Sequence, residues 1–371
     1  MAEAAQANPS NPALKKFLLV LNCIMLCAGT PGGPLVTRLY FIHGGKRVWL
    51  PSFLEGAGWP LMIIPLIISY IHRRRQWAIA TAKGGCSYPA PRLFQLKPFL
   101  FASAVVAGVL TGLDAYLYAY GVERIPVSTV TLILSTQLAF TAGFAYLLVK
   151  QRFSPYTVNA VFLLTLAAVV LALHSDSDKP KGESNRMYVV GFLMTLAASG
   201  LYGFVLPLVE MGYKKTKQVL SYSLVLEYQL VMSFSTAAFC IVGMFINNDF
   251  KVIPREAKEF GLGESKYYMV LISSAIVWQC FFVGAMGVIF CASSLSSGII
   301  IAVMLPVTEV LAVIFFREKF QVEKGVSLVL SLWGFVSYFY KEIMDAKKRR
   351  NQDQNQHPPH SEMEMNNHSL P

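Results

Sequence analysis

YLLVKQRFSPYTVNAV, residues 146–161, and VIFFREKFQVEKGVSL, residues 313–328, are built alike. Each is an apolar run closed by a basic residue, with a second basic residue just before Phe153 or Phe320 and a new apolar run beyond. Upstream, Gly121 and Gly287 precede the two phenylalanines at nearly the same separation. The pattern marks an internal duplication, and its meaning depends on whether the runs lie in water or in lipid.

Composition decides that. Hydrophobic residues make up 54% of the 371 and charged residues only 14%, whereas soluble domains are nearer a quarter charged. A span needs about 20 mostly apolar residues. Ten runs qualify, at 17–42, 50–71, 98–121, 126–149, 155–174, 187–212, 220–246, 267–291, 296–316 and 322–340. The expected fold is an all-α polytopic membrane protein whose ten transmembrane helices form two repeats of five, at 14–174 and 187–340, joined by a linker at 175–186. Because five is odd, the second repeat enters the membrane in the opposite sense. Inverted repeats of this kind hold a substrate near the midplane and alternate its access to the two sides, which points to a transporter.

Lys and Arg set the orientation. The loop between the second and third runs carries Arg73, Arg74, Arg75, Lys83, Arg92 and Lys97 without an acid, so both termini are expected in the cytoplasm. The net charge of +11 then reads as contact with an anionic inner leaflet, since the basic residues flank spans, and argues against nucleic acid as a partner. Residues 1–13 lack the features of a signal peptide, and both they and the polar tail 341–371 read as disordered. Cys23, Cys27, Cys240 and Cys280 lie inside apolar runs, and neither they nor Cys86 and Cys291 show metal-ligand spacing. They read as packing residues, with no metal or other cofactor expected. HExxH, GxSxG and Walker signatures are missing, so an enzyme is not expected and transport must draw on a gradient.

Three stretches carry a family resemblance: AGTPGGPLVTRLYFIHGGKRVWLPSFLEGAGWP at 28–60, LYAYGVERIPVSTVTLILSTQLAFTAGFAYLLVKQRF at 117–153, and LPLVE at 206–210. They resemble the plant purine permease family of the drug/metabolite transporter superfamily, over roughly residues 15–340. The resemblance implies a ten-helix, proton-coupled importer of adenine-like bases, cytokinins and related heterocycles, some members taking alkaloids, with the plasma membrane as the expected location.

Polar residues inside the spans are the candidate site. Glu227, in SLVLEYQLVMS, sits on an apolar face, where a carboxyl is costly and usually faces a cavity. It is the first candidate both for coupling, by loading and releasing a proton, and for pairing with a purine edge; the alternative is a hydrogen bond to a neighbouring helix. Asp114 is placed similarly with Tyr118 one turn on, but Gly108 and Gly112 beside it also suggest tight helix packing. Glu55 and Trp59 stand four apart, either as a site pair or as interfacial residues. Gln137 offers a donor and an acceptor at mid-depth, and Asn22, Trp278 and Gln279 are similar candidates, Trp278 alternatively facing lipid. A stacked ring with a few convergent amides is a common way to hold a flat heterocycle. Glu309 is a second possible proton site, whereas Glu210 beside Lys214 and Lys215 reads as a surface ion pair.

Overall fold

A computed structural model describes residues 12–82, 91–125, 130, 133–134, 136–151, 153, 155–172, 185–216, 218–316 and scattered positions between 325 and 344. Almost all of the expected terminal segments, the 175–186 linker and much of the tenth run lie outside the described residues.

Every element described is helical, as an apolar medium demands of a chain whose backbone groups find no water. The first long helix, α1 (Pro12–Ile42), contains Pro31 and Pro34. The second run is broken: α2 (Trp49–Ala57) passes through a 3-10 turn (Trp59–Met62) into α3 (Ile63–Ala82). The sequence GAGWP explains the break, because Pro60 lacks a backbone donor and Gly56 and Gly58 carry no side chain. Then come α4 (Pro98–Arg124), α5 (Gln137–Val149) and α6 (Pro155–Ala172). Pro98 occupies the first helical position of α4, where a missing N–H costs nothing, and α5 ends on Lys150 in the left-handed region at φ 51°. The second half holds α7 (Asn185–Lys215), α8 (Tyr222–Ile246), α9 (Asp249–Glu259), α10 (Glu264–Cys291) and α11 (Ser294–Phe316).

Among the described residues, seven helical stretches are long and apolar enough to cross a membrane, with α2 to α3 counted as one. Helices α5 and α6 are apolar but shorter. Large hydrophobic side chains such as Ile64, Ile68, Phe162, Phe245 and Ile272 stay exposed around the outside, a surface that suits lipid and not water. Helix α9 lies between the seventh and eighth apolar runs, where the sequence pattern predicts no span. It is short and amphipathic, with Pro254 inside it, so a search for long apolar runs passes over it. Its Glu256 accepts hydrogen bonds from the hydroxyls of Tyr40 (2.6 Å) and Tyr267 (3.0 Å) and from the Lys46 N–H (3.2 Å). Those bonds tie the end of α1 to the start of α10.

Helices pair across the two halves. The α1 helix lies along α10 and also touches α11; α7 lies along α4 and also touches α5; α2 packs on α8 and α10, and α8 on α4. The α1–α10 pair is built on small residues. A Cβ at Gly29 would lie 2.6 Å from the Phe281 backbone, one at Gly33 would lie 2.8 Å from the Trp278 indole, and one at Gly284 would lie 2.5 Å from the Leu26 nitrogen. Such stripes allow close backbone approach where lipid offers no hydrophobic drive between helices. Gly108 and Gly112 do the same for α4 against α8: their carbonyls accept from Thr236 Oγ1 (2.8 Å) and Cys240 Sγ (3.8 Å).

These contacts set a stability expectation. Gly29→Ala should destabilise the detergent-solubilised protein by about 1–3 kcal/mol, the usual cost of overpacking. Gly143→Ala, at an exposed α5 position with open space around it, should be neutral or stabilising by up to about 1 kcal/mol. Thermal unfolding of both variants checks the contrast.

Candidate functional site

Between the two halves lies a half-open pocket with about 550 Å³ of empty space, part of it continuous with the outside, lined from α1, α2, α4, α5, α7, α10 and α11, with Leu134 just ahead of α5. Its wall has three chemistries. Two carboxyl groups face it, Glu55 from α2 and Asp114 from α4. Hydrogen-bonding side chains join them: Gln137 at the start of α5, Tyr118 one turn beyond Asp114, Tyr202 from α7 and Thr30 from α1. An aromatic wall comes from Trp278, Phe281 and Phe282 of α10.

The rings are locked to one another. Trp278 meets Tyr118 edge-on at 5.9 Å and Phe281 edge-on at 5.5 Å, and lies 6.1 Å from Phe282 at 30°. Tyr202 rests against Phe281 at 5.8 Å and 33°. Rings held by contacts of this kind keep a fixed face toward a ligand. The polar atoms are not locked. Asp114 Oδ1, Tyr118 Oη, Tyr202 Oη and Trp278 Nε1 are buried and meet no hydrogen-bond partner among the described residues. A buried polar atom without a partner costs about 1–3 kcal/mol, and four of them lie around this one cavity. Three are natural donors and one is a carboxylate acceptor.

The structure thus brings together Glu55, Asp114, Tyr118, Gln137 and Trp278 of the sequence candidates. It holds the others elsewhere. Asn22 is a junction: its Nδ2 donates to the Leu18 carbonyl (2.7 Å), its Oδ1 accepts from the Tyr222 hydroxyl (3.1 Å), and Gly287 leaves room for it. Trp59 packs edge-on against Phe234 at 5.5 Å. Gln279 follows Trp278 but turns toward α8, where its Oε1 accepts from Ser233 Oγ at 3.3 Å. Glu309 is buried on α11 outside the cavity lining.

Glu227 departs furthest from expectation. It is 1% exposed, yet it does not line the cavity. Its Oε2 accepts from the backbone N–H groups of Gln95 (2.7 Å) and Leu96 (3.1 Å), in the segment entering α4. The apolar residues flanking Glu227 along the chain concealed these two donors, which arrive from 131 and 132 positions away. Glu210 also differs. It pairs with Lys214 at 2.8 Å, but it is buried and accepts from the Ser294 N–H at 2.7 Å, so it caps α11 rather than decorating a surface.

Sequence reasoning missed Tyr202, Phe281 and Phe282. Tyr202 lies mid-run in SGLYGFVLP, and the two phenylalanines follow Trp278 in WQCFF. A mid-span tyrosine was a readable signal for the first. The phenylalanines had none, since an apolar ring in an apolar run looks like lipid contact.

A multi-helix membrane bundle with a central pocket of unmet donors, carboxyl groups and fixed rings has the form of a small-molecule carrier. The family model described as purine nucleobase transmembrane transport matches residues 17–348. Purine permease 3 of Arabidopsis thaliana is 53% identical over 335 residues, covering 90% of this chain and 93% of that protein. Purine permease 2 of the same plant is 52% identical over 351 residues, covering 92% and 96%. Probable purine permease 5 is 36% identical over 335 residues, covering 90% and 88%. The chain belongs to the purine permease family and is a multi-pass membrane transporter, not an enzyme.

The partnering of the two acids separates site from scaffold. Asp114→Leu removes an unmet oxygen and should leave stability unchanged or raise it by roughly 1 kcal/mol. Glu227→Leu strands two backbone donors and should lower it by about 2 kcal/mol. Thermal unfolding in detergent, with both variants measured alongside wild type, distinguishes the two acids.

Proposed function

We propose that this protein imports purine bases and related nitrogen heterocycles, cytokinins and alkaloids among them, by proton-coupled alternating access across the plasma membrane, with both termini in the cytoplasm. The cavity carries the reading. A purine is flat, with ring nitrogens that accept and an amidine edge that both donates and accepts. Its edge finds complements in Gln137, Asp114, Tyr118, Tyr202 and the Trp278 N–H, and its face finds the rings of α10. A few placed polar groups in a largely apolar chamber is the common form of a small-molecule site.

Coupling then belongs to Asp114 and Glu55. Both are buried and face one cavity, and two negative charges held there would repel each other strongly. A carboxyl that opens to water in one conformation and is shut away in another exchanges its proton in step with the movement. Glu227, whose carboxylate is taken up by two backbone donors, is less suited to that part.

The helix pairings support an inverted repeat. The first span of one half lies along the third of the other in both directions, α1 with α10 and α7 with α4. First and fourth spans meet reciprocally as well, α1 with α11 and α7 with α5, while α2 with α8 and α5 with α11 pair like with like. A two-fold relation between the halves would generate this pattern, and an odd number of spans in each half would set its axis in the membrane plane. The second reading, an uncoupled facilitator of the same architecture, would place no demand on two carboxyl groups in the chamber.

Uptake of labelled adenine at acidic and alkaline external pH, with and without a protonophore, tests the proposal. Concentrative uptake should be strongest at acidic pH and collapse with protonophore; uptake indifferent to both would establish the facilitator. Asp114→Asn should bind and exchange adenine across the membrane without accumulating it. Gln137→Leu should weaken adenine roughly tenfold, the order of one unmet hydrogen bond, and weaken an alkaloid lacking the amidine edge less. Equal losses for the two ligands would make Gln137 a packing residue.

A further inference from the structure

Glu227 has no part in the cavity, and its surroundings assign it another. While its Oε2 holds the N–H groups of Gln95 and Leu96, Gln218, just ahead of α8, grips the same segment from both edges. The Gln218 Nε2 donates to the Gln95 carbonyl at 2.6 Å, and its Oε1 accepts from the Lys97 N–H at 3.3 Å. Residues 95–97, the last before α4, are therefore strapped to α8 by two side chains. Helix α4 is the element that carries Asp114 and Tyr118 into the cavity.

Two groups, one on α8 and one on α3, are unfinished. Glu227 Oε1 has no hydrogen-bond partner, and the Nε and both Nη atoms of Arg73 on α3 are buried without one. Helix α3 packs on α8, where Ser69 Oγ and Ser223 Oγ share a hydrogen bond at 2.5 Å, with Arg73 one turn further along α3 and Glu227 one turn further along α8. A carboxylate accepts more bonds than the two it has here, and a guanidinium carries five donors in a planar fork suited to it.

We propose that Glu227 is a two-position latch. In the conformation seen here it holds the strap and so the foot of α4; in the other it gives up the strap N–H groups for the Arg73 guanidinium, leaving α4 free to move relative to α8. The charge is what the second position needs, since an amide serves the first equally well. A latch with two alternative partners of similar strength gives a bistable element rather than a rigid tie. The inference rests on the carrier reading above and makes Glu227 a positioning residue for transport, not a contact for substrate or proton.

Two measurements on the full-length protein test it. Hydrogen exchange should show the Gln95 and Leu96 amides protected in wild type and in Glu227→Gln, and released in Glu227→Ala. Gln218→Ala, at a half-exposed position, should also weaken the protection and serves if Glu227→Ala does not fold. In uptake of labelled adenine, Arg73→Gln and Glu227→Gln should each lower the maximal rate roughly two- to fivefold, the range of a partly exposed ion pair. Adenine affinity and pH dependence should be unchanged, and the double variant should be no slower than either single one, as expected of partners in one step. Protection that survives both Glu227→Ala and Gln218→Ala would remove the strap. A wild-type rate in Arg73→Gln, additive losses, or loss of pH dependence in Glu227→Gln would remove the exchange, the last by returning Glu227 to proton transfer. If wild type takes up no adenine, the substrate reading falls, and hydrogen exchange alone decides the strap.

Discussion

The close approach of α1 to α10 is the constraint on which the rest depends. In lipid, two apolar helices gain nothing from hiding hydrophobic surface, so they associate through packing and through the few polar bonds they share. Gly29, Gly33 and Gly284 let the two backbones meet where any side chain would collide with the other helix. That contact presses α1 against the Trp278 indole and the Phe281 backbone and so fixes the aromatic wall of the cavity. The α4 contacts with α8, made through Gly108 and Gly112, place Asp114 and Tyr118 opposite that wall.

Within this frame, buried polar groups divide by whether they are satisfied. Asn22, Glu210, Glu256 and the Oε2 atom of Glu227 have partners contributed by other segments, and each ties helices or their connections together. Asp114 Oδ1, Tyr118, Tyr202 and the Trp278 N–H have none and converge on one space. Sequence reasoning put Glu227 ahead of Asp114, and the structure gives the two acids different surroundings. Glu227 is anchored at the foot of α4, whereas Asp114 stands further along the same helix with an oxygen free in the chamber.

The amino-acid sequence by itself determined the membrane class, nearly all of the spans that the structure describes, the transporter family, and five cavity residues: Glu55, Asp114, Tyr118, Gln137 and Trp278. These were legible because hydrocarbon imposes a one-dimensional rule, about 20 apolar residues per crossing, against which each polar residue stands out. The rule says that a polar side chain must find a partner; it is silent on which partner. Tertiary structure decided that Glu227 meets the backbone of residues 95 and 96, that Asn22 and Gln279 bond to residues on α8, and that Phe281 and Phe282 face a chamber instead of lipid. Those outcomes depend on which helices lie side by side and at what rotation. Contacts between residues from 46 to 200 positions apart set both, and no local pattern along the chain records them.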